Sequence, residues 1–395
     1  MITPTEYLYI DLANHFGLDK LTFDKRIAWV KAIRPWLRDW AKDAEEPELF
    51  TACLNAIEQA ERDEPITYCI SLDATASGLQ ILAALTGCRK TAELTNLIPN
   101  GKRMDIYTYL YEQMNLPSLQ REKVKKAVMT AFYGSLSIPK SLFNKKELTV
   151  FYQTLKEYCP WPWQLNQYLL DNWNPTVSFY HWLMPDCHTV HIPVTNMEYH
   201  KISFVNQQLT VPVAINAPNK YGRSLSANLV HSVDGFVVRE MIRRCNYTPA
   251  NVALVRELLQ EPNNHSNKLQ LDALGIVKVL DQYKATGILS AAIIDLLAEY
   301  PEGYSLLDAQ AKKDLLVLLD SLPTKPFHIL PIHDCFKCHP NYGNDLRNQY
   351  KHILSDLAKS NLLQHILSQM LGDDVEASVE EDLSQDILQS EYALC

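Results

Sequence analysis

A chain of 395 residues, 47% apolar and 21% charged, is long enough for two or three cores and is not the composition of a disordered protein. No apolar run reaches bilayer length, and the amino-terminal MITPTEYLYIDLANHFG has neither a basic leader nor a small-residue cleavage site, so a cytoplasmic protein with no membrane partner is expected. Nine irregularly spaced cysteines suit buried thiols better than a disulfide framework, and a formal charge of −9 excludes a surface that is basic all over. It leaves room for a basic channel: residues 373–391 hold eight acids and no Lys or Arg, whereas Arg121–Lys126 and Lys140–Lys146 are locally basic.

Glycine is scarce, 12 residues in all, which favours a helix-rich α/β (α+β) chain. Residues 20–60 read as two helices parted near Arg34-Pro35, from the spacing of Ile27, Val30 and Ile33 and then Leu49, Leu54 and Ile57. TYCISL at 67–72 is a short buried strand that ends at Asp73. A helix is expected from about Leu119 to Ala131, broken at Tyr133-Gly134-Ser135. Between Thr189 and Asn216 the pattern alternates, with Leu209, Val211, Val213 and Ile215 on one face, as in a β-hairpin that has Pro212 on an edge strand. Residues 246–325 return to helical periodicity, and HILPIHDCF then gives a second apolar strand ending in an acid, Asp334. Cys335-Phe-Lys-Cys338-His339 matches the pattern for covalent haem attachment, but no other Cys-x-x-Cys exists to complete a zinc site and the strand reading explains the same stretch better.

An acid at a strand end is ordinarily a solvated turn or a helix cap. Two of them flanking a basic helix mean more, because joining nucleotides requires carboxylates that converge on two cations about 3.5–4 Å apart. Without metal such a pair would repel, and one member would stay protonated. Between them Arg121, Lys125, Met129 and Tyr133 recur every four residues and end at Gly134. On a helix that repeat makes one shallow stripe, in which two cations one turn apart can hold a triphosphate and an aromatic ring further on can meet sugar and base. A merely amphipathic helix with a solvated basic edge would explain neither the aromatic ending nor the flanking acids.

These residues resemble the single-subunit RNA polymerases of the phage T7 and mitochondrial type. SLDATASGLQILAALTG resembles the first metal motif, REKVKKAVMTAFYGS the fingers helix, NLVHSVDG the motif whose histidine lies beside the incoming sugar, and PIHDCF the second metal motif. Weaker similarity runs through LDKLTFDKRIAWV, NLIP, DIY, MPDC and the terminal DILQSEYALC, and covers most of the chain except roughly 246–325. The resemblance implies a right-hand palm and fingers with a small antiparallel palm sheet. It divides the chain into a palm lead-in with the first metal motif (1–117), fingers (118–187), a hairpin and ribose-contacting motif (188–245), an inserted helical element (246–325) and the second metal motif with the carboxyl-terminal tail (326–395).

Carried over by position, Asp73 and Asp334 would ligate two Mg²⁺ ions, with Ala74 adding its backbone carbonyl. Arg121 and Lys125 would hold the triphosphate, Lys125 also serving as general acid toward pyrophosphate. Met129, Tyr133 and Gly134 would complete the nucleotide site, His231 would sit at the ribose, and His333 would orient the product end. Family A DNA polymerases share the stripe, but typically have a glutamate where this chain has Gly78 and commonly one after the His-Asp pair, where Cys335 stands. With His231 as a polar partner for the 2′-hydroxyl, all three positions favour ribonucleotides.

The resemblance further implies a DNA template, an RNA product, ribonucleoside triphosphates as substrates, and a carboxyl terminus folded back toward the active centre. Family members carry an amino-terminal domain and a thumb ahead of the region matching residue 1. A smaller second subunit is therefore expected to supply them, as in the heterodimeric RNA polymerase of N4-like phages, acting in an infected bacterial cell. The hairpin near 189–216 falls where family members place a promoter-reading loop; it is either such a loop, with Lys201, Asn206 and Gln207 governing template choice, or a plain structural hairpin. The alternatives are a DNA polymerase or primase fragment and a non-catalytic DNA-binding paralogue.

Overall fold

The computed structural model describes residues 1–117, 119–205, 207–260 and 274–395, so Asn206 lies outside the described residues. As composition led one to expect, the chain is helix-rich with small antiparallel sheets. Among the described residues no helix is long and apolar enough to cross a membrane.

The sheet that matters for function has three strands, β1 (Ile70–Asp73), β6 (Leu330–Ile332) and β7 (Cys335–Cys338), in the order β1-β7-β6. The register pairs Ile70 with Cys338 and Asp73 with Cys335. Alternation then turns Ile70, Leu72, Phe336 and Cys338 into the core, each 1% exposed or less, and leaves Ser71, Asp73, Cys335 and Lys337 on the opposite face. One expectation needs correcting here. HILPIHDCF is not one strand capped by an acid. It is two short strands joined by the turn His333-Asp334, with Leu330 and Ile332 exposed. Asp334 therefore stands in the turn, opposite Ala74, whose N–H donates to the Asp334 carbonyl at 3.1 Å. His333 takes φ +57 and Asp334 does not, so the left-handed residue is the first of the turn, a place usually held by glycine.

Helices fill the space behind this sheet. The helix Ser77–Thr86 starts directly after β1 and buries nearly every side chain from Leu79 to Leu85. Against it pack the 21-residue helix Leu225–Cys245, through Leu229, Val230, Val233 and Phe236, and the helix Gly343–Ala358. The stripe helix runs from Arg121 to Phe132; it buries Val124, Ala127, Val128 and Ala131 at i, i+3, i+4 and i+7 and ends at Gly134, φ +82. A Cβ at Gly134 would lie 2.5 Å from the Arg223 carbonyl oxygen, so both the turn and the close approach require glycine. The break near Arg34-Pro35 is present: the helix Phe23–Ile33 gives way to a 3₁₀ turn and short pieces before Pro47–Glu61.

A second apolar core is built from residues between Val255 and Leu319, apart from the one that contains the sheet. A buried ionic network joins the two. Glu240 is fully buried and accepts from Ser290 Oγ at 2.6 Å and from the Ala291 N–H at 3.0 Å, while pairing with Arg243 and Arg244. Asp186, whose side chain is also buried, pairs with Arg239 at 2.6 Å and Arg243 at 2.8 Å. Each buried carboxylate thus meets several donors, the condition under which a charge can be buried at all.

The alternating segment became two hairpins: β2 (Phe179–Leu183) with β3 (Thr189–Pro193), and β4 (Thr195–Phe204) with β5 (Gln207–Asn216). Pro212 lies on a two-stranded ribbon, where both strands are edges, as its missing N–H demands. Alternation ordinarily signals one buried face, but here neither is: Ile202, Phe204, Leu209 and Val213 share one face and all are exposed. Among the described residues, the ribbon's apolar face is left uncovered.

Candidate active site

Two adjoining cavities meet at the carboxyl end of β1. The larger, about 720 Å³, is lined by Asp73, Ala74, Arg121 and Lys125 together with Asp105, Cys335 and Cys395. The smaller, about 80 Å³, is lined by Gly78, Met129, Tyr133 and Asp334. Ala76 and Tyr107 border both. The stripe helix therefore divides as its chemistry would require, with its cations on one cavity and Met129 and Tyr133 on the other. The periodicity of four made this division possible, because each step moves the side chain a little round the helix as well as along it.

Asp73 is open to solvent at its tip, yet protein surrounds it on most sides. Burial, and then the neighbouring Asp334 carboxylate, push Asp73 up to about 6, while the Ala74 N–H and Lys125 act in the opposite sense. A carboxylate that dislikes its charge beside a second carboxylate is a place where a cation relieves the conflict. Both side chains offer hard oxygen donors, the type that suits Mg²⁺. Among the described residues no three His, Cys, Asp or Glu side chains form a metal cage. Asp73 and Ala74 line the larger cavity and Asp334 the smaller, and such a donor set fits an ion that takes the rest of its oxygens from water and substrate phosphates, as Mg²⁺ commonly does.

Lys125 lies with its Nζ 5.8 Å from the centre of the Tyr107 ring. Arg121 is engaged at all three nitrogens: Nε donates to Thr108 Oγ1 at 2.7 Å, and its two terminal nitrogens to Asp105 and Glu122 at 2.6 Å each. Tyr133 stacks at a tilt against His231, ring centres 5.2 Å apart. Gly78 completes this corner. A Cβ there would sit 3.1 Å from the Tyr133 hydroxyl and 3.3 Å from Val230 Cγ1, so the small cavity exists because residue 78 has no side chain. His333 is exposed in its turn and lines neither cavity, nor does Gly134, which instead sets where the stripe helix stops.

Three neighbours, Asp234, Asp105 and Thr108, were not among the residues singled out from the sequence, and a fourth, Cys395, belongs to the tail that was expected to fold back here. Asp234 faces Asp334, His231 and His333: burial and then Asp334 raise its carboxyl, and the two histidines oppose that. Its signal was available, three residues after His231 on one helix face. Asp105 and Thr108 hold Arg121, and an N-cap Asp with a Thr three residues on was legible as a helix start, although not as an arginine clamp. Cys395 closes the larger cavity. Burial raises its thiol, but the Arg103 and Arg26 guanidiniums outweigh that and hold it below its ordinary value; Arg103 Nη2 is 3.5 Å from the sulfur. Cys335 is half-buried on the open face, in contact with the cavity as well as the sheet, and none of the nine cysteines is paired in a disulfide.

Residues 3–177 match the DNA-dependent RNA polymerase family. The chain is 26% identical over 360 residues to a probable DNA-directed RNA polymerase of Gelasinospora sp., a similarity covering 85% of this chain and 40% of that protein. It is 28% identical over 168 residues to the mitochondrial DNA-directed RNA polymerase 1 of Arabidopsis thaliana, covering 32% of this chain and 17% of that one. With the DNA-directed RNA polymerase of Pseudomonas phage phiKMV it shares 28% identity over 170 residues, 38% of this chain and 21% of the phage protein. The chain thus spans well under half the length of these relatives. With fungal, plant and phage relatives alike, the chain is thus similar to DNA-directed RNA polymerases, and its residues 3–177 carry the match to that family.

Proposed function

We propose that this chain carries the catalytic centre of a DNA-directed RNA polymerase, which adds ribonucleotides to an RNA 3′ end on a DNA template. The observation that carries the reading is the pair of adjoining cavities with one helix across both. Arg121 and Lys125 receive the triphosphate in the charged cavity, and Tyr133, with His231 behind it, receives the ribose at the small one. Lys125, close enough to Asp73 to favour its charge, is placed to protonate departing pyrophosphate. Gly78 leaves room at the ribose corner and His231 offers the 2′-hydroxyl a polar partner, which favours ribonucleotides over deoxyribonucleotides.

Two Mg²⁺ ions would be held by Asp73 and Asp334 with the Ala74 carbonyl. When bound they supply charge stabilisation for the attacking and leaving oxygens. The remaining work falls to the chain: Tyr107 and Tyr133 wall the site, Gly134 ends the stripe helix where the ring must sit, and His333 orients the product end from the turn beside Asp334.

We further propose that a smaller second polypeptide supplies the amino-terminal domain and thumb, in phage transcription within an infected bacterial cell, and that the β4–β5 hairpin reads promoter DNA. The first part rests on the resemblance to the heterodimeric polymerases of N4-like phages. The test of catalysis is an extension assay on a primed DNA template with Mg²⁺ and ribonucleoside triphosphates, wild type against Asp334→Asn. Loss of synthesis by several orders of magnitude is expected in the variant. Equal synthesis by both would sink the assignment. Affinity purification from infected cells tests the partner, and a chain that transcribes fully with no copurifying polypeptide removes the need for one.

A further inference from the structure

We propose that Asp105 and Thr108 are positioning residues that hold the Arg121 guanidinium ready for the triphosphate of the incoming nucleotide, a role that rests on the polymerase reading above. Asp105 is the N-cap of the helix Ile106–Met114, and its two oxygens divide the work. Oδ1 accepts from the N–H groups of Tyr107 and Thr108, at 3.0 and 3.3 Å. Oδ2 accepts from Thr108 Oγ1 at 2.8 Å and from Arg121 Nη2 at 2.6 Å. The Thr108 hydroxyl gives its proton to Asp105 and accepts from Arg121 Nε at 2.7 Å. One edge of the guanidinium, Nε and Nη2, is thereby fixed to the end of one helix, while Arg121 itself begins another.

An arginine on a flexible stem loses its rotamer freedom when it grips a phosphate. One already anchored has less to lose per bond formed. Of the five N–H groups, two are committed to Asp105 and Thr108 and a third, on Nη1, goes to Glu122, whose side chain is 75% exposed. Glu122 is the contact that can swing away into solvent. Asp105 cannot, because its other oxygen caps a helix and its carboxyl is half-buried; burial would raise its pKa, but Arg121 and Thr108 outweigh that and hold it below the ordinary carboxylate range. The clamp therefore stays while the outer partner yields, and Nη1 and Nη2 turn their free N–H groups to the phosphates.

The opposite role is conceivable on charge alone: a carboxylate 2.6 Å from Arg121 neutralises it and would compete with phosphate. The two roles differ in sign. Asp105→Asn keeps Oδ1 as the helix cap but turns an NH₂ toward Arg121, so the clamp is lost while the competing charge is also lost. If Asp105 positions Arg121, binding weakens; if it competes, binding tightens. The experiment uses the purified chain with any polypeptide that copurifies, and titrates ATP with Mg²⁺ and, separately, inorganic pyrophosphate with Mg²⁺. KM and kcat for ATP are read in the extension assay.

Asp105→Asn and Thr108→Val should each raise Kd and KM for ATP roughly tenfold, with kcat nearly unchanged, the loss expected for one charge-assisted hydrogen bond. Pyrophosphate affinity should fall by the same factor, since the clamp serves phosphates and not sugar. Thr108→Ser, which keeps the hydroxyl, should bind like wild type. Unchanged or tighter ATP binding by Asp105→Asn overturns the clamp, as does a Thr108→Ser that behaves like Thr108→Val. A wild type that binds neither ATP nor pyrophosphate overturns the polymerase reading itself, and the clamp with it.

Discussion

Asp73, at the end of β1, and Cys395, far along the chain, exchange both backbone hydrogen bonds: the Asp73 N–H donates to the Cys395 carbonyl at 3.1 Å and the Cys395 N–H to the Asp73 carbonyl at 2.9 Å. Ala74 and Leu394 form the next antiparallel pair, and the Gln80 side chain donates to the Ala393 carbonyl at 3.0 Å. The tail thus lies along the free edge of β1 and fixes the backbone from which Asp73 projects. Leu394, 2% exposed, anchors it in the core. Leu394→Ala should cost about 2–4 kcal/mol of stability by the lost burial and the cavity left behind. At a temperature where the variant is still folded, synthesis should fall at least tenfold, because a freed β1 edge lets Asp73 drift from Asp334. Thermal melts paired with extension assays check this. A variant that melts early yet synthesises normally would separate the tail from the site.

Gly78 gives a case in which stability and activity should move apart. The residue is the second of its helix and has no left-handed backbone to strain, so Gly→Ala there should stabilise by about 0.4–1 kcal/mol through the unfolded chain. The added Cβ, however, would press on the Tyr133 hydroxyl at 3.1 Å and on Val230 at 3.3 Å. The ring can yield by a few tenths of an ångström, but only into the cavity where the ribose is proposed to bind. Gly78→Ala is expected to melt no lower than wild type while losing roughly tenfold in kcat/KM for ribonucleotides. Gly78→Glu should be nearly inactive. Steady-state kinetics alongside melting curves decide, and full activity in the Ala variant would show that the small cavity is not the ribose site.

His15 links the first helix to the strand behind the site. Its ring nitrogens meet Glu46 at 2.6 Å and Tyr68 at 3.0 Å, and Tyr68 donates to Asp11, which in turn accepts from the Ser71 N–H on β1. Burial disfavours the charged ring, but Asp11 and Glu46 outweigh it, so the His15 pKa stands above its ordinary value. A group whose folded pKa is raised binds protons more strongly in the folded state. The stability it adds is fully present below the ordinary histidine value, about 6.5, and is lost as pH rises through the raised folded value. The stability gap between wild type and His15→Gln should therefore be largest near pH 6 and shrink as pH rises above 7. Denaturant melts across that range test the sign, and a gap that grows with pH would contradict it.

How much of this was legible beforehand depends on the distance over which each feature is set. Asp73 at a strand end, the Arg121–Tyr133 stripe and the helix stop at Gly134 follow from spacing within one element, and the structure has them where spacing put them. Asp334 was assigned to the right neighbourhood and the wrong local structure, because two strands of three and four residues with a two-residue turn read the same as one apolar run. Leu330 and Ile332 look like core and are exposed, since only pairing with β7 shows that they lie on the open face of the sheet. The Arg121–Asp105 clamp and the Cys395–Asp73 pair join separate elements, and no periodicity reports on that.

The β4–β5 hairpin tests the difference between pattern and packing. Its alternation is that of a half-buried strand pair, yet Phe204 is 66% and Leu209 44% exposed on the apolar face, and Tyr199 is 70% exposed on the other. Replacing residues 197–214 with a short turn therefore removes no core side chain, and the melting temperature should stay within a few degrees of wild type, as for surface changes generally. Elongation from a primed template should persist, because neither cavity draws a residue from the hairpin. If the hairpin reads promoter DNA, the deletion should scatter start sites on duplex template, and Lys201→Ala with Gln207→Ala should shift them more mildly. Start-site mapping on the same template for all three proteins decides the matter. An unchanged profile in the deletion would leave the hairpin with no part in template choice, and a lost melting transition would show that its strands brace the body after all.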